Sequence, residues 1–300
     1  MSLGDLVSLS FRKCRQNFGL YWSALFVPAL GASVGSEGAF FCFNHWVGIA
    51  SKSMLAVAPF AAHMAIVLLC IIVWGVSIWE LLLRASAIIR LILGLDATFA
   101  EAYKTIKMRG MATFLAYNLI LLPPLALLLL WTFVAFLFVS FIPMQQPLRL
   151  IVGSVGFGLM GFGLTVSVAL SSLFGALLTA IIACEGSAFS ESIRRATFFF
   201  KQRMLRGGSF VCLLTLSLMV VYVACFSPII VVDVVETYTH ARLGLVSKSI
   251  GMQVLGAMLD TCFNVVSFGV AFTGYGLFYR DLCLRLEGRD ILSKISKLPT

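Results

Sequence analysis

The sequence predicts an all-α membrane protein with six transmembrane helices and both termini in the cytoplasm. Three observations carry that expectation: apolar runs long enough to cross a bilayer, a one-sided distribution of basic residues, and a pattern that returns three times along the chain. Over 300 residues the composition is 60% hydrophobic and only 12% charged, with a mean hydropathy of +1.02. A soluble domain carries roughly 25% charged residues, so a water-exposed globule is excluded. Apolar runs of about 20 residues match a hydrocarbon core about 30 Å thick. They are too uniformly apolar for barrel strands, which alternate.

The six expected spans cover about 19–35, 54–83, 112–142, 158–183, 208–231 and 251–279. Pro28 and the Gly31–Gly38 stretch interrupt the first. The third is long and should kink at Pro123-Pro124, where the freed backbone groups need partners on neighbouring helices. The fourth has a Gly-rich lead-in that lets it begin as early as Leu148. Residues 1–19 carry Asp5, Arg12, Lys13 and Arg15 and no apolar core with a small-residue cleavage site, so no cleavable signal peptide is expected.

Orientation follows from the basic residues. Of the 22 Lys and Arg, 18 lie at the ends and in the loops on one side; Lys52, Arg149, Arg242 and Lys248 lie on the other. By the positive-inside rule the crowded side is cytoplasmic, which agrees with an even number of spans. The formal charge of +9 therefore points to anionic headgroups, at about 1 kcal/mol per basic residue near the surface, and not to nucleic acid. Only Cys42 of the eight cysteines falls in an expected outer loop, so no disulfide framework is expected. Cys70, Cys212, Cys225 and Cys262 read as small apolar helix residues.

The threefold pattern is a short polar and basic helical segment running into a membrane-length apolar one. Copies begin near Ser2, Thr98 and Ser187, giving repeats of about 1–95, 96–185 and 186–279 within a single polytopic domain, then a cytoplasmic helix within 280–300. Shifting the first copy by 96 places Asp5 on Glu101, Tyr21 on Tyr117 and Pro28 on Pro124. Between the second and third copies Glu101 falls on Glu191, and after a shift of seven Arg109-Gly110 meets Arg206-Gly207. Thr98 with Glu101 has capping-box spacing, and Ser2 with Asp5 is its looser counterpart. The third copy has Ala188 at the cap but keeps Glu191. There Phe189, Ile193, Ala196, Phe200 and Met204 share one face. Such a helix should lie in the interface with its phenyl groups in lipid and Arg194, Arg195, Lys201, Arg203 and Arg206 at the headgroups.

Ionisable and polar groups inside a membrane are expensive and mark sites. Asp260, Asn264, Gln253 and His63 form the candidate intramembrane polar set, in which Asp260 and Asn264 are one turn apart. Glu80 and Arg84, four apart, and Glu185 are charges at the cytoplasmic boundary, where a side chain pairs or snorkels. His45, His63 and His240 lack a further ligand at metal spacing, and the Gly153–Gly163 run lacks the lysine of a phosphate loop. No cofactor and no catalytic set is expected.

Two short places resemble a bacterial membrane family. Glu185-Gly-Ser187 through Glu191-Ser-Ile-Arg194-Arg195-Ala196 is similar to its pattern of an acid ending a span followed by a polar run. Tyr279, Asp281, Leu282, Arg285, Glu287 and Gly288 resemble its closing motif. The family is the six-span membrane domain fused to some glycerophosphodiester phosphodiesterases, with related inner-membrane proteins. Cys283, Leu286 and Ala196 depart from its pattern. The resemblance implies the fold and the bacterial inner membrane. It does not imply the phosphodiesterase activity, whose catalytic barrel has no counterpart here. The leading expectation is a non-enzymatic membrane scaffold or accessory subunit that contacts lipid and a protein partner. A transporter or lipid-handling permease component comes second, and a membrane-embedded lipid-modifying enzyme third.

The basic asymmetry has a direct check. A membrane-impermeant thiol reagent applied from outside should modify cysteines placed near Lys52, Arg149 or Lys248, and spare those near Arg15, Lys107, Arg195 or Lys294. Strong labelling beside Arg195 would reverse the topology.

Overall fold

The computed structural model describes the backbone of residues 1–50, 57–141, 146–243 and 250–295. Side chains are described outside residues 44–60, 120–121, 135–157, 159, 228–230, 233, 236–250, 252–253, 287 and 289–300. The expected outer basic residues Lys52, Arg149, Arg242 and Lys248, together with His45, His240, Gln253 and Glu287, lie outside the described side chains.

Every regular element among the described residues is a helix: α1 (Leu3–Gln16), α2 (Phe18–Ala50), α3 (Val57–Ile92), α4 (Phe99–Met108), α5 (Gly110–Phe141), α6 (Gln146–Glu185), α7 (Phe189–Leu243) and α8 (Ile250–Ile295). Six stretches are long and apolar enough to cross a membrane: Phe18–Phe43, Ala61–Ile92, Gly110–Val134, Met160–Glu185, Phe189–Ser227 and Val254–Leu286. The chain is a multi-pass helical membrane protein.

The two short helices start as their sequences dictate. Asp5 N–H donates to Ser2 Oγ at 3.1 Å and Ser2 N–H to Asp5 Oδ2 at 3.0 Å. Thr98 and Glu101 make the same reciprocal pair at 3.2 and 3.3 Å. Each box satisfies free N–H groups of a first turn and sets an acid against the helix dipole. The Ser2 hydrogen bonds hold the Asp5 carboxyl below its usual range. At the start of α7, Ser192 Oγ instead shares a hydrogen bond with Ser187 Oγ at 2.9 Å.

Several helices run further than their sequences suggest. Gly31, Gly35 and Gly38 do not interrupt α2; they are where α3 approaches it. A Cβ on Gly31 would strike Ser77, one on Gly35 would lie 2.8 Å from the Trp74 nitrogen and 2.9 Å from the Cys70 carbonyl, and one on Gly38 would lie 3.1 Å from Cys70 Sγ. Small residues let two backbones touch, and in lipid such packing is a main source of helix association. Cys42 lies inside α2 and not in an outer loop. The helix α5 passes Pro123 and Pro124, α6 begins at Gln146, and α7 carries a bend at Arg203 (φ −141°, ψ 32°) that joins the polar segment to its span. Among the described residues no separate helix follows the last span: α8 continues unbroken to Ile295, through Gly288.

The packed core lies at one end of the bundle. Its centre is the second half of α6, from Leu173 to Ala183. Of that helix's apolar window 61% is buried, against at most 33% in the other spans. Leu81–Ile89 of α3, Phe278 and Leu282 of α8, Phe210 of α7 and the inner faces of α1 and α4 close around it. Phe210 and Phe278 stack with centroids 4.6 Å apart. Away from this end the helices present large exposed apolar side chains, including Val34, Leu68, Leu69, Leu129 and Val220, as surfaces in hydrocarbon require.

The α2–α3 contact predicts opposite outcomes for two neighbouring glycines. Gly35→Ala should lower thermal stability in detergent by about 1–3 kcal/mol, because backbone atoms must separate. Gly75→Ala, where an added Cβ meets nothing within 4 Å, should be neutral or stabilising by about 0.5–1 kcal/mol. Equal effects would remove the close-approach reading.

Candidate functional site

Polar chemistry collects at the packed end, around the C-terminus of α6. That helix stops at Gly186, whose φ of +69° suits the left-handed position after a helix. Its last carbonyls need donors, and two arginines from other elements supply them. Arg109 Nη1 donates to the Ile182 carbonyl at 3.0 Å and Arg90 Nη1 to the Ala183 carbonyl at 2.7 Å. Arg109 also lies where a Cβ on Gly186 would be. Asp96 fixes Arg90 by a fork-like pair, with Nη2 to Oδ1 at 3.0 Å. Hydrogen bonding from Arg90 holds the Asp96 carboxyl below its usual range, while burial, then the charge of Arg90, draws the Arg109 guanidinium down. Arg90, Asp96 and this role of Arg109 were not singled out in the sequence. An arginine followed by a short loop and an acid is a local signal, but its target carbonyl is 93 residues away.

The two stretches that carry the family resemblance meet here. Glu185 accepts a hydrogen bond from the Tyr279 hydroxyl and pairs with Arg195 Nε at 2.9 Å. The Arg195 guanidinium sits 5.7 Å from the centroid of Phe199, which meets Tyr279 edge-on at 5.8 Å. Asp281 accepts from Arg206 Nη2 at 3.0 Å and from Arg285 Nε at 2.9 Å, and its Oδ1 lies 3.5 Å from the Met1 amino group. Arg206 and Arg285 also both donate to the Met1 carbonyl, at 2.8 and 3.0 Å. Leu282 is buried beside them. Gly288 faces open space: a Cβ there would meet nothing within 4 Å.

A third cluster lies further along α3. Glu80 pairs with Arg84 at 2.8 Å and accepts from the Tyr103 hydroxyl at 2.7 Å, which joins α3 to α4. Burial, then the bond to Glu80, pushes the Tyr103 hydroxyl up. Arg84 Nη1 donates to the Ala24 carbonyl at 3.0 Å. That carbonyl is the one whose helical partner would be residue 28, and Pro28 has no N–H. Arg84 therefore serves two purposes, and the sequence showed only its pairing with Glu80.

At membrane depth Asp260 accepts from Ser33 Oγ at 2.7 Å and from Asn264 Nδ2 at 3.0 Å, which ties α8 to α2. Ser33 was not anticipated, being an unremarkable small residue in a glycine-rich run. His63 is not brought to this cluster. It stands eleven residues, about 16 Å of helix, before Trp74, which faces Gly35 at the level of Ser33. A second tie between the same helices joins Tyr21 Oη and Thr273 Oγ1 at 2.5 Å.

The headgroup set divides. Arg195 and Arg206 are engaged in the ion pairs above, Arg194 and Lys201 are exposed, and Arg203 is half-buried at the bend. The apolar face expected in lipid packs on protein: Ala196 is fully buried, and Phe189, Ile193 and Phe200 lie against the core, with Phe200 edge-on to Phe174 at 6.1 Å. Of that face only Met204 is exposed. The physical reason is that α6 and α8 offer this face a complementary surface.

Between α5–α6 and α7–α8 a cleft of about 380 Å³ remains, lined by Tyr117, Pro124, Thr179, Leu218, Phe268 and Tyr275 among others. No group of three His, Cys, Asp or Glu that could hold a metal occurs among the described residues. What converges is carboxylates gripped by guanidinium groups and hydroxyls, an arrangement that joins helices. No family model, curated protein or solved structure matches this chain.

The Asp96–Arg90 pair predicts a pH signature. A carboxylate with a lowered folded pKa stabilises above its unfolded value of about 3.9 and loses that contribution as pH falls through the folded value. Asp96→Asn should therefore be less stable than the parent at pH 6–8, with the gap closing below about pH 4. A gap that widened toward acid would contradict this.

Proposed function

We propose that this chain is a non-enzymatic integral membrane scaffold or accessory subunit of the bacterial cytoplasmic membrane, contacting lipid and a protein partner. In this reading it has both termini inside and is built from three copies of a short helix plus a helical hairpin. The observation that carries the reading is the use made of Asp260, the clearest ionisable group at membrane depth. Its carboxylate is spent on Ser33 and Asn264, tying α2 to α8. A relay acid needs a polar path; a tie needs only two donors. The clusters at the packed end support the same reading, because they lock α1, α6, α7 and α8 together.

The repeat is supported by element order, since α1 and α4 each precede a pair of long helices and the polar segment of α7 precedes its span. It is also supported by a shared packing use of the two Arg-Gly pairs. A Cβ on Gly110 would crowd Trp79, and one on Gly207 would crowd Leu173. The 18-to-4 basic asymmetry supports the packed end as the cytoplasmic one. The resemblance to the six-span domain supports the bacterial inner membrane. A second reading, a lipid-handling component, is favoured by the open cleft beside Tyr117.

Asp260→Asn and Asp260→Leu together with co-purification test the proposal. Asn keeps the acceptor and should leave stability, assembly with a stoichiometric partner in mild detergent and growth function intact. Leu should lose about 0.6–1.7 kcal/mol of stability, the range for polar ties between membrane helices. A stable, fully assembled Asp260→Asn protein without function would sink the scaffold reading, as would a chain that purifies alone from gently solubilised membranes.

A further inference from the structure

We propose that the cleft between α5–α6 and α7–α8 is a binding site for one glycerophospholipid from the leaflet at the packed end. The ester region would sit on three hydroxyls, one acyl chain would run deeper, and the phosphate would lie toward Arg109. The inference goes beyond the scaffold reading and does not depend on it.

The cleft has the polarity gradient of an amphiphile. Tyr117 lies seven residues into α5, Thr179 six residues before Glu185, and Tyr275 six residues before Asp281. All three thus stand one to two turns below the charged end, at one level. Deeper along the same helices the lining is mostly apolar, with Pro124, Val168, Leu218 and Phe268, and with Ser172 and Ser267 among them. Along α6 the lining runs from Thr179 to Val168, about 16 Å of helix. The volume of about 380 Å³ falls within the roughly 300–1,000 Å³ typical of ligand sites.

The hydroxyls supply the second observation. Thr179 is only 5% exposed, yet among the described residues no hydrogen-bond partner faces its hydroxyl, nor those of Tyr117 and Tyr275. Thr165 and Thr273, by contrast, bond back to the carbonyl four residues earlier. These hydroxyls open onto the cleft and are not sealed in protein; in hydrocarbon, where no water reaches them, an ester oxygen in the cleft accepts from them. Three donors at one level suit the carbonyl oxygens of a glycerol ester.

Comparison within the chain sharpens the point. The residue matching Tyr117 in the first copy is Tyr21, which is fully buried, bonded to Thr273 and packed on Gly269. The first copy fills this space with protein against α8; the second leaves it open. Arg109 does not itself line the cleft, but it bonds to the Ile182 carbonyl, three residues past Thr179 toward the charged end of α6. Its guanidinium has donors left for a phosphate.

Photo-crosslinking in liposomes tests this with two probes bearing the same diazirine: an acyl-labelled phosphatidylglycerol and labelled pentadecane. The expected result is phosphatidylglycerol capture concentrated on peptides of α5, α6 and α8 that line the cleft, well above capture on the exposed Leu68–Val73 face of α3. Thr179→Val with Tyr275→Phe removes two hydroxyls at nearly constant shape and should cut phosphatidylglycerol capture roughly fivefold or more while leaving pentadecane capture unchanged. Ala271→Trp, which fills the cleft, should abolish both; should that variant fail to fold, the hydroxyl pair decides. Capture spread evenly around the bundle, or phosphatidylglycerol capture indifferent to the hydroxyls, would overturn the site. Either result would leave the scaffold reading standing, since that is judged by assembly.

Discussion

A backbone carbonyl without a partner is costly in a membrane protein, and the architecture of this chain follows from where such carbonyls arise. Hydrocarbon offers no water to satisfy them. Pro28 frees the Ala24 carbonyl within α2, and the end of α6 frees those of Ile182 and Ala183. Each is met by an arginine from another helix or loop: Arg84, Arg109 and Arg90. A guanidinium can do this and still hold a carboxylate, because it carries five donors on a planar fork. Glu80 takes the Nε–H of Arg84, and Asp96 takes the Nε–H and an Nη2–H of Arg90. These arginines are therefore fasteners as well as topology signals, and a lysine in their place would reach one partner but not both.

The same constraint explains why the packed end is packed. Once α6 is gripped at its C-terminus, its small and branched residues from Leu173 to Ala183 become the surface on which α3, α7 and α8 close. The charge clusters around Glu185 and Asp281 then bridge segments far apart in sequence. Among the described residues the opposite half of the bundle is tied mainly by the Asp260–Ser33 and Asp260–Asn264 bonds, and its helices present mostly apolar side chains outward.

The fold was legible where the signal is local. Apolar length showed six spans, and Ser2 with Asp5 and Thr98 with Glu101 announced two helix starts. Glu80 with Arg84 announced a pair, and Asp260 with Asn264 a polar turn. Tertiary partners were not legible. Nothing near Arg84 in sequence points to Ala24, nothing near Tyr279 points to Glu185, and Ser33 looks like filler. The face of Ile193, Ala196 and Phe200 shows a further limit. Periodicity reveals that a helix has an apolar side but not what covers it, since lipid tails and protein interior are equally apolar. Gly31–Gly38 misled for a related reason: glycine weakens an isolated helix in water, whereas here it lets α3 approach.

The unbroken course of α8 has a mechanical consequence. Its 46 residues span about 69 Å, more than twice the hydrocarbon thickness of about 30 Å. Tyr279 and Asp281 pin it to α6 and α7 at a fulcrum, and the backbone runs on to Ile295 as a rigid lever of about 24 Å. A 10° change in tilt of the membrane part moves that tip by about 4 Å. Any change in tilt at the pinned residues is thereby amplified along the same helix.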